Sequence, residues 1–220
     1  MTGMAPKAAI WDMDGVIADT AHFHFEAWQQ IARIRSVKFT GEDFRHSFGK
    51  RNQEIITEKF GNELSTREIE SLSQRKEEIF RRIAGHSIQP FPGVLNLLRS
   101  AKKAGWKMAV ASSTPRENIV HITRALDIED IFDAIVADSD VKQGKPDPEV
   151  FLTAAGKLGI EPERCIVIED AIAGVKAAKA ANMRCIAVST THPSSRLAEA
   201  DLTVERLEKV TVATLESLLQ

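Results

Sequence analysis

The segment IWDMDGVIADT, residues 10–20, places two aspartates two positions apart at the end of an apolar run. The run Ala8–Trp11 is typical of a buried strand, and Asp12 and Asp14 follow it directly, just before Gly15. Side chains at positions i and i+2 of an extended segment face the same side, so the two carboxylates should repel each other. This arrangement suggests that a cation offsets their charge.

Polar or charged residues also follow three further apolar runs. They are Ser112, Ser113 and Thr114 after Lys107–Ala111, Lys145 in KQGKPDP after Ala134–Ala137, and Glu169 and Asp170 after Cys165–Ile168. In open α/β sheets, ligands bind beyond the carboxyl ends of the strands. Carboxylates gathered there would favour a hard cation such as Mg²⁺, while Lys145 adds a positive charge and Ser112 a hydroxyl donor. Such a set suits phosphoryl transfer, which depends on positioning and charge neutralisation.

The elements that must position these side chains alternate along most of the chain. Helical patterns such as PGVLNLLRSAKKAG, RENIVHITRALDI, DPEVFLTAAGKLGI and AIAGVKAAKAANM separate the apolar runs, which continue with Cys185–Val188 and Leu202–Val204. Continuous apolar strands between helices indicate parallel pairing with both faces of the sheet buried. The sequence therefore predicts an α/β fold with a doubly wound, Rossmann-like parallel sheet.

One segment interrupts this alternation. From about His22 to Ala84 the sequence shows only amphipathic helical patterns, among them HFHFEAWQQIARI and STREIESLSQRKEEIFRRIAG. We interpret residues 19–88 as a helical insertion, with residues 1–18 and 89–220 forming the α/β core. A single long crossover helix is the simpler alternative.

The composition excludes several classes of protein. The 220 residues include 29 Lys and Arg against 31 Asp and Glu, which gives no electrostatic support for binding nucleic acid or a membrane surface. No apolar run approaches the roughly 18 residues of a membrane span, and the opening MTGMAPK is too short for a signal peptide. Cys165 and Cys185 read as reduced core residues. We expect a cytoplasmic monomer.

The stretches DMDGVIADT, ASST, GKPDPEVF and IEDAIAGVKAAKAANM resemble the four signature motifs of the haloacid dehalogenase superfamily of phosphotransferases. All four occur in order over essentially the whole chain, and the helical insertion is similar to the family's small α-helical cap. The resemblance implies that Asp12 is a nucleophile that forms an aspartyl-phosphate. It also implies that Asp14 protonates the leaving group and then acts as a base for the incoming acceptor.

The resemblance assigns roles to the other strand-end residues as well. The implied ligands of Mg²⁺ are the Asp12 carboxylate, the Asp14 carbonyl and the Asp170 carboxylate, with Glu169 close by. Ser112 would hold the transferring phosphoryl group, and Lys145 would orient Asp12 and balance the charge.

Part of the insertion, DTAHFHFEAW, resembles the β-phosphoglucomutases within this superfamily. There the histidine that matches His24 belongs to a cap hinge that holds the acid/base aspartate back until sugar binds, and Lys76 matches a cap lysine of the same network. Those mutases also carry a cap arginine that grips the distal phosphate, but Asn52 stands at this position, with Arg51 beside it. The residues implied in substrate binding are His24, Trp28, Arg51, Asn52, Lys76, Ser113 and Thr114.

The presence of Asn52 where the mutases carry an arginine bears on whether the reaction is that of a phosphatase or of a mutase. A phosphatase needs one phosphate site, whereas a mutase needs two because its intermediate is a bisphosphate. We therefore expect a Mg²⁺-dependent phosphatase acting on a small phosphorylated metabolite, with a phosphosugar mutase as the alternative. A non-enzymatic phospho-aspartate switch is less consistent with the order of the motifs, and a dehalogenase would lack Asp14.

Overall fold

The computed structural model of the chain describes residues 5–61 and 63–220, so the first four residues of the predicted core and of MTGMAPK, and Asn62 of the predicted insertion, lie outside it. Within the described residues a six-stranded parallel sheet has the order β3-β2-β1-β4-β5-β6. The strands are β1 (Ala8–Trp11), β2 (Lys107–Ala111), β3 (Ala134–Val136), β4 (Cys165–Glu169), β5 (Arg184–Val188) and β6 (Leu202–Val204). The predicted doubly wound α/β fold is confirmed.

The helices lie in two groups along the chain. The first group is α1 (Ala21–Ile34), α2 (Gly41–Ser47), α3 (Asn52–Phe60) and α4 (Thr66–Ala84); the second is α5 (Val94–Lys103), α6 (Arg116–Ala125), α7 (Glu149–Leu158), α8 (Ile172–Ala180) and α9 (Val212–Leu218). No helix within the described residues is long and apolar enough to cross a membrane.

Strand β1 is central to the sheet, between β2 and β4, and all four of its residues are fully buried. Its side chains alternate between two hydrophobic clusters: Trp11 belongs to one and Ile10 to the other, as the twofold period of a strand requires. The chain leaves β1 towards β2 and β3 and returns to β4 on the other side. This reversal of direction is where a doubly wound sheet opens a ligand crevice.

Helices α1–α4 form the cap, the name used here for the helical segment between β1 and α5, and its described residues contain no strand. Two adjacent chain segments connect it to the sheet: the Asp19 N–H donates to the Gln89 carbonyl at 3.0 Å, and the Phe91 N–H to the Ile17 carbonyl at 3.1 Å. Inside the cap, the ring of Trp28 stacks on Phe39 and Phe60. The exact bounds of the two predicted domains stay a prediction.

Gly93 shows how closely the returning chain packs before α5. It adopts φ +87°, and a Cβ there would lie 2.7 Å from the Glu208 Cα. Gly105 has a similar φ of +81° but open space around the equivalent point. We expect Gly105→Ala to lower the free energy of unfolding by about 1 kcal/mol, for backbone strain alone, and Gly93→Ala by about 3 kcal/mol or more, for strain plus overlap. Urea denaturation of the two variants measures both, and equal losses would contradict the packing.

Candidate active site

A cavity lies between the carboxyl edge of the sheet and the cap. Its core side is formed by Asp12, Asp14, Ser112, Ser113, Thr114, Lys145, Glu169, Asp170, Ala171, Ile172, Ala173, His192 and Arg196, and its cap side by His24, Trp28, Phe44, Arg45, His46, Ser47, Phe48, Gly49, Lys50, Asn52, Ile55, Lys76 and Glu77. Every site residue predicted from the sequence lines this cavity except Arg51. The strand ends therefore meet as parallel topology requires.

The floor of the cavity is a buried group of carboxylates. Oxygen atoms of Asp12, Glu169 and Asp170 all lie within 4.8 Å of one another. The Lys145 ammonium donates to Asp12 Oδ1 and to Glu169 Oε1, both at 2.6 Å. The second oxygen of Glu169 accepts the backbone N–H groups of Asp170 and Ala171, each at 2.6 Å. Glu169 thus holds both Lys145 and the turn after β4.

Burial dominates the electrostatics of this floor. It raises the pKa of Asp12 to about 7, a rise that the Lys145 ammonium opposes. It also raises the pKa of Asp170 well above its ordinary value, with further increments from Glu169 and Asp12. The pKa of Lys145 is raised because its two carboxylate partners outweigh the opposite effect of burial. When all three carboxyl groups are ionised, the single ammonium offsets only one of their negative charges.

A divalent cation fits this donor set. Hard cations such as Mg²⁺ bind through one or two carboxylates and further oxygen atoms, and the excess negative charge is what such an ion would neutralise. Oxygen atoms of Asp12, Glu169 and Asp170 are the ones that would hold it. The Thr191 hydroxyl donates to Asp170 Oδ2 and orients that side chain. A role for the Asp14 carbonyl stays a prediction.

The Asp14 carboxylate is bonded towards the cap. Its Oδ1 accepts the Thr20 hydroxyl at 2.5 Å and faces His24 Nε2 at 3.1 Å. The Lys76 ammonium lies 2.7 Å from His24 Nδ1. Because an ammonium only donates, Nδ1 must accept, and the Nε2–H then donates to Asp14. Burial alone would raise the pKa of Asp14, but His24 and Thr20 together hold it below its ordinary value.

The loop after β2 supplies hydroxyl groups. Ser112 and Thr114 are both buried, and the Thr114 N–H donates to Ser112 Oγ at 3.2 Å. This bond occupies a lone pair of Ser112 and leaves its hydroxyl hydrogen able to donate to a phosphoryl oxygen.

Three of the predicted cap residues have protein contacts of their own. The Arg51 guanidinium donates to the backbone carbonyls of Asp138, Val141 and Lys142 in the core, at 3.0, 2.9 and 2.9 Å. The Asn52 amide donates to Ser73 Oγ at 3.0 Å and to Glu77 Oε1 at 2.6 Å. Trp28, 2% exposed, is mainly part of the aromatic packing of the cap.

Several residues of the site were not expected from the sequence. Thr20, Glu77, Thr191, His192, Arg45 and Arg196 all contact the predicted residues or line the cavity. Only Glu77 had a usable signal: with Phe80 and Ala84 it falls at positions i, i+3 and i+7 of α4, the spacing of a buried helix face. A glutamate in that stripe, next to a buried lysine, indicates an internal ion pair.

Comparison with known proteins places this geometry in a family. A model described as haloacid dehalogenase-like hydrolase matches residues 6–182. The chain is 35% identical over 183 residues to the phosphorylated carbohydrates phosphatase of Thermotoga maritima, covering 82% of this chain and 83% of that one. It is 36% identical over 214 residues to the β-phosphoglucomutase of Bacillus subtilis, covering 94% and 92%.

A solved structure is also similar to this chain over almost its whole length. The crystal structure of β-phosphoglucomutase from Clostridium difficile is similar with a TM-score of 0.88 at 28% identity, covering 98% of this chain and 97% of that one. The chain belongs to the haloacid dehalogenase-like hydrolase family.

The carboxylate floor makes metal binding testable without turnover. At a Mg²⁺ concentration of 100 times Kd, binding to the folded state adds about 2.7 kcal/mol, which raises the melting temperature of a chain this size by roughly 5–10 °C. We expect Asp170→Asn to lose this rise and, in metal-free buffer, to be at least as stable as the parent, because it removes a repelling charge.

Differential scanning fluorimetry with and without chelator measures both effects. Asp130→Asn, at an exposed position outside the cavity, is the matched control and should keep the full rise. An unchanged Mg²⁺ response in Asp170→Asn would show that the ion binds elsewhere.

Proposed function

We propose that this protein is a Mg²⁺-dependent phosphatase that hydrolyses a small phosphorylated metabolite, best represented by a sugar phosphate. The observation that carries the proposal is the position of Asp12, buried at the cavity floor with Lys145 on one of its oxygens and the Ser112 hydroxyl on the neighbouring strand end. The phosphatase and mutase names of the relatives support phosphoryl transfer through the same floor.

In the proposed reaction, an Asp12 oxygen attacks the phosphorus of the bound ester and forms an aspartyl-phosphate. Ser112 and Lys145 hold the transferring group and offset its charge. In the substrate complex Asp14 carries a proton on Oδ2, while Oδ1 keeps its bonds to Thr20 and His24. It delivers that proton to the departing oxygen and then removes one from the water that cleaves the aspartyl-phosphate. A bound Mg²⁺ would supply further charge neutralisation and orient the phosphate oxygens. The cap above the cavity restricts access of bulk water.

The surroundings of Arg51 and Asn52 favour the phosphatase reaction over the mutase reaction. In the mutases, by the resemblance described above, a cap arginine at the position of Asn52 grips the distal phosphate. Here the Asn52 amide is bonded to Ser73 and Glu77, and the Arg51 guanidinium to three core carbonyls. Neither side chain is available for a second phosphate without breaking those bonds.

A phosphosugar mutase is the second candidate. The observation that favours it is the chain of contacts from Lys76 through His24 to Asp14, which matches the hinge network expected from the mutase resemblance. A phospho-aspartate switch is less consistent with a cap that encloses Asp12.

We expect Asp12→Asn to lower phosphatase activity by about 10⁴-fold or more, since it removes the nucleophile. Asp14→Asn should lower it by about 10²–10⁴-fold and accumulate phosphorylated Asp12 when the ester has a good leaving group. Steady-state kinetics and intact-protein mass measure these effects. Asp19→Asn, an exposed aspartate of the same segment, is the control. Turnover retained in Asp12→Asn would exclude the proposed chemistry.

Phosphorus NMR separates the two candidate reactions. The protein is incubated with Mg²⁺, β-glucose 1-phosphate and a trace of glucose 1,6-bisphosphate. We expect inorganic phosphate to accumulate, because the chain offers no second phosphate grip at positions 51 and 52. Accumulation of glucose 6-phosphate with little free phosphate would instead establish the mutase, and a panel of phosphate esters then defines the substrate of a phosphatase.

A further inference from the structure

A buried polar contact joins cap helix α4 to core helix α6. Glu77 on α4 is 3% exposed and Asn118 on α6 is fully buried. The Asn118 amide donates to Glu77 Oε2 at 2.6 Å, and the Arg81 guanidinium, one turn along α4, donates to Asn118 Oδ1 at 2.6 Å. Because a guanidinium only donates, the orientation of the Asn118 amide is determined.

The other oxygen of Glu77 bonds to residues that line the active-site cavity. Glu77 Oε1 accepts the Lys76 ammonium at 2.8 Å and the Asn52 amide at 2.6 Å. Burial alone would raise the pKa of Glu77, but Lys76 and His24 hold it below its ordinary value, so the carboxylate is charged. Both of its oxygens are satisfied only while Asn118 faces it. A charged group that loses a buried partner carries a large penalty.

The contacts continue without a break to the acid/base residue. Glu77 bonds to Lys76, Lys76 to His24, and His24 to Asp14. At its far end the same network bonds to the core through Asn118. The position of the cap on α6 and the orientation of Asp14 are therefore linked by hydrogen bonds alone.

We propose that Glu77 is a positioning residue and that Asn118 is the core half of a closure latch, which sets the acid/base aspartate through Lys76 and His24 only when the cap is seated. The inference rests on the proposed phosphoryl transfer for its consequence in catalysis. Arg51 also bonds the cap to the core, but its partners are backbone carbonyls with no contact to Lys76 or His24. It lacks the connection that makes the Asn118 contact a latch.

The leaving group of the substrate provides the test. A sugar phosphate needs a proton from Asp14, whereas p-nitrophenyl phosphate has a leaving group stable enough to depart without one. We expect Glu77→Gln and Asn118→Leu to lower kcat about tenfold to a hundredfold for the sugar phosphate. The rate of the p-nitrophenol burst, which reports formation of the aspartyl-phosphate without help from Asp14, should stay nearly unchanged. Equal losses in this kcat and in the burst rate would reduce the pair to a structural contact, and no loss in either would remove its role.

Two neighbouring arginines on α4 give a matched pair of milder variants. Arg81 bonds to Asn118 in the core, whereas Arg82 is exposed and bonds to Gln30 within the cap, at 3.1 Å. Arg81→Ala should show the same selective loss for the sugar phosphate to a smaller degree, and Arg82→Ala should show none. Identical behaviour of the two variants would overturn the latch.

A spectroscopic measurement keeps the latch separate from the proposed reaction. The ¹⁵N shifts of the His24 ring report which nitrogen carries the proton, and the contacts with Lys76 and Asp14 require it on Nε2. We expect Glu77→Gln and Asn118→Leu to lose this single form and Arg82→Ala to keep it. If the parent protein hydrolyses no phosphate ester, the proposed function fails, and this measurement still decides the latch.

Discussion

The structure depends on carboxylates that the sheet forces together. Strands β1 and β4 pair with Trp11 opposite Ile168, and the Asp12 N–H bonds to the Ile168 carbonyl at 3.0 Å. This register makes Asp12 and Glu169 neighbours, and Asp170 follows at once. Buried like charges lower stability unless they are paired, and Lys145 pairs only part of them. Such a site is stable only because the apolar strands beneath it are fully buried, and its residual charge is what gives it affinity for a cation and a phosphoryl group.

The same carboxylates restrict the residues packed around them. A Cβ on Gly174, in the first turn of α8, would overlap the Glu169 carboxylate, and a Cβ on Gly15 would overlap that of Asp170. Gly15 also has φ +88°, in the region that favours glycine. Both glycines let backbone approach the floor closely. Gly15 of DMDG and Gly174 of AIAG are thus required because a side chain there would overlap the buried carboxylates. This requirement gives a physical reason for the glycines in two of the signature motifs.

The α/β core could be predicted from the sequence because each of its strands is marked by an apolar run within a few consecutive residues. The bounds of β1 and, apart from its first residue Lys107, those of β2 follow from unbroken apolar runs. Parallel topology then brings Asp12, Ser112, Lys145 and Glu169 to one edge. Contacts between the cap and the core could not be predicted, since a helical pattern gives the buried face of a helix but not what docks on it. Arg51 illustrates the difference: its charge and its place beside Asn52 suggested substrate, whereas carbonyl groups at residues 138–142 hold it.

The nature of the contacts on each side of the cap bears on how it can move. Within the cap, packing is apolar: Trp28 stacks on Phe39 and Phe60, and exposing these rings would be costly. Arg51 and Glu77, in contrast, reach the core through hydrogen bonds, which water can replace at a small net cost once the groups are exposed. The apolar interior of the cap is therefore harder to open than these two polar contacts with the core. Any lifting of α4 from α6 breaks the bond between Glu77 and Asn118, and that is the contact connected to Asp14 through Lys76 and His24.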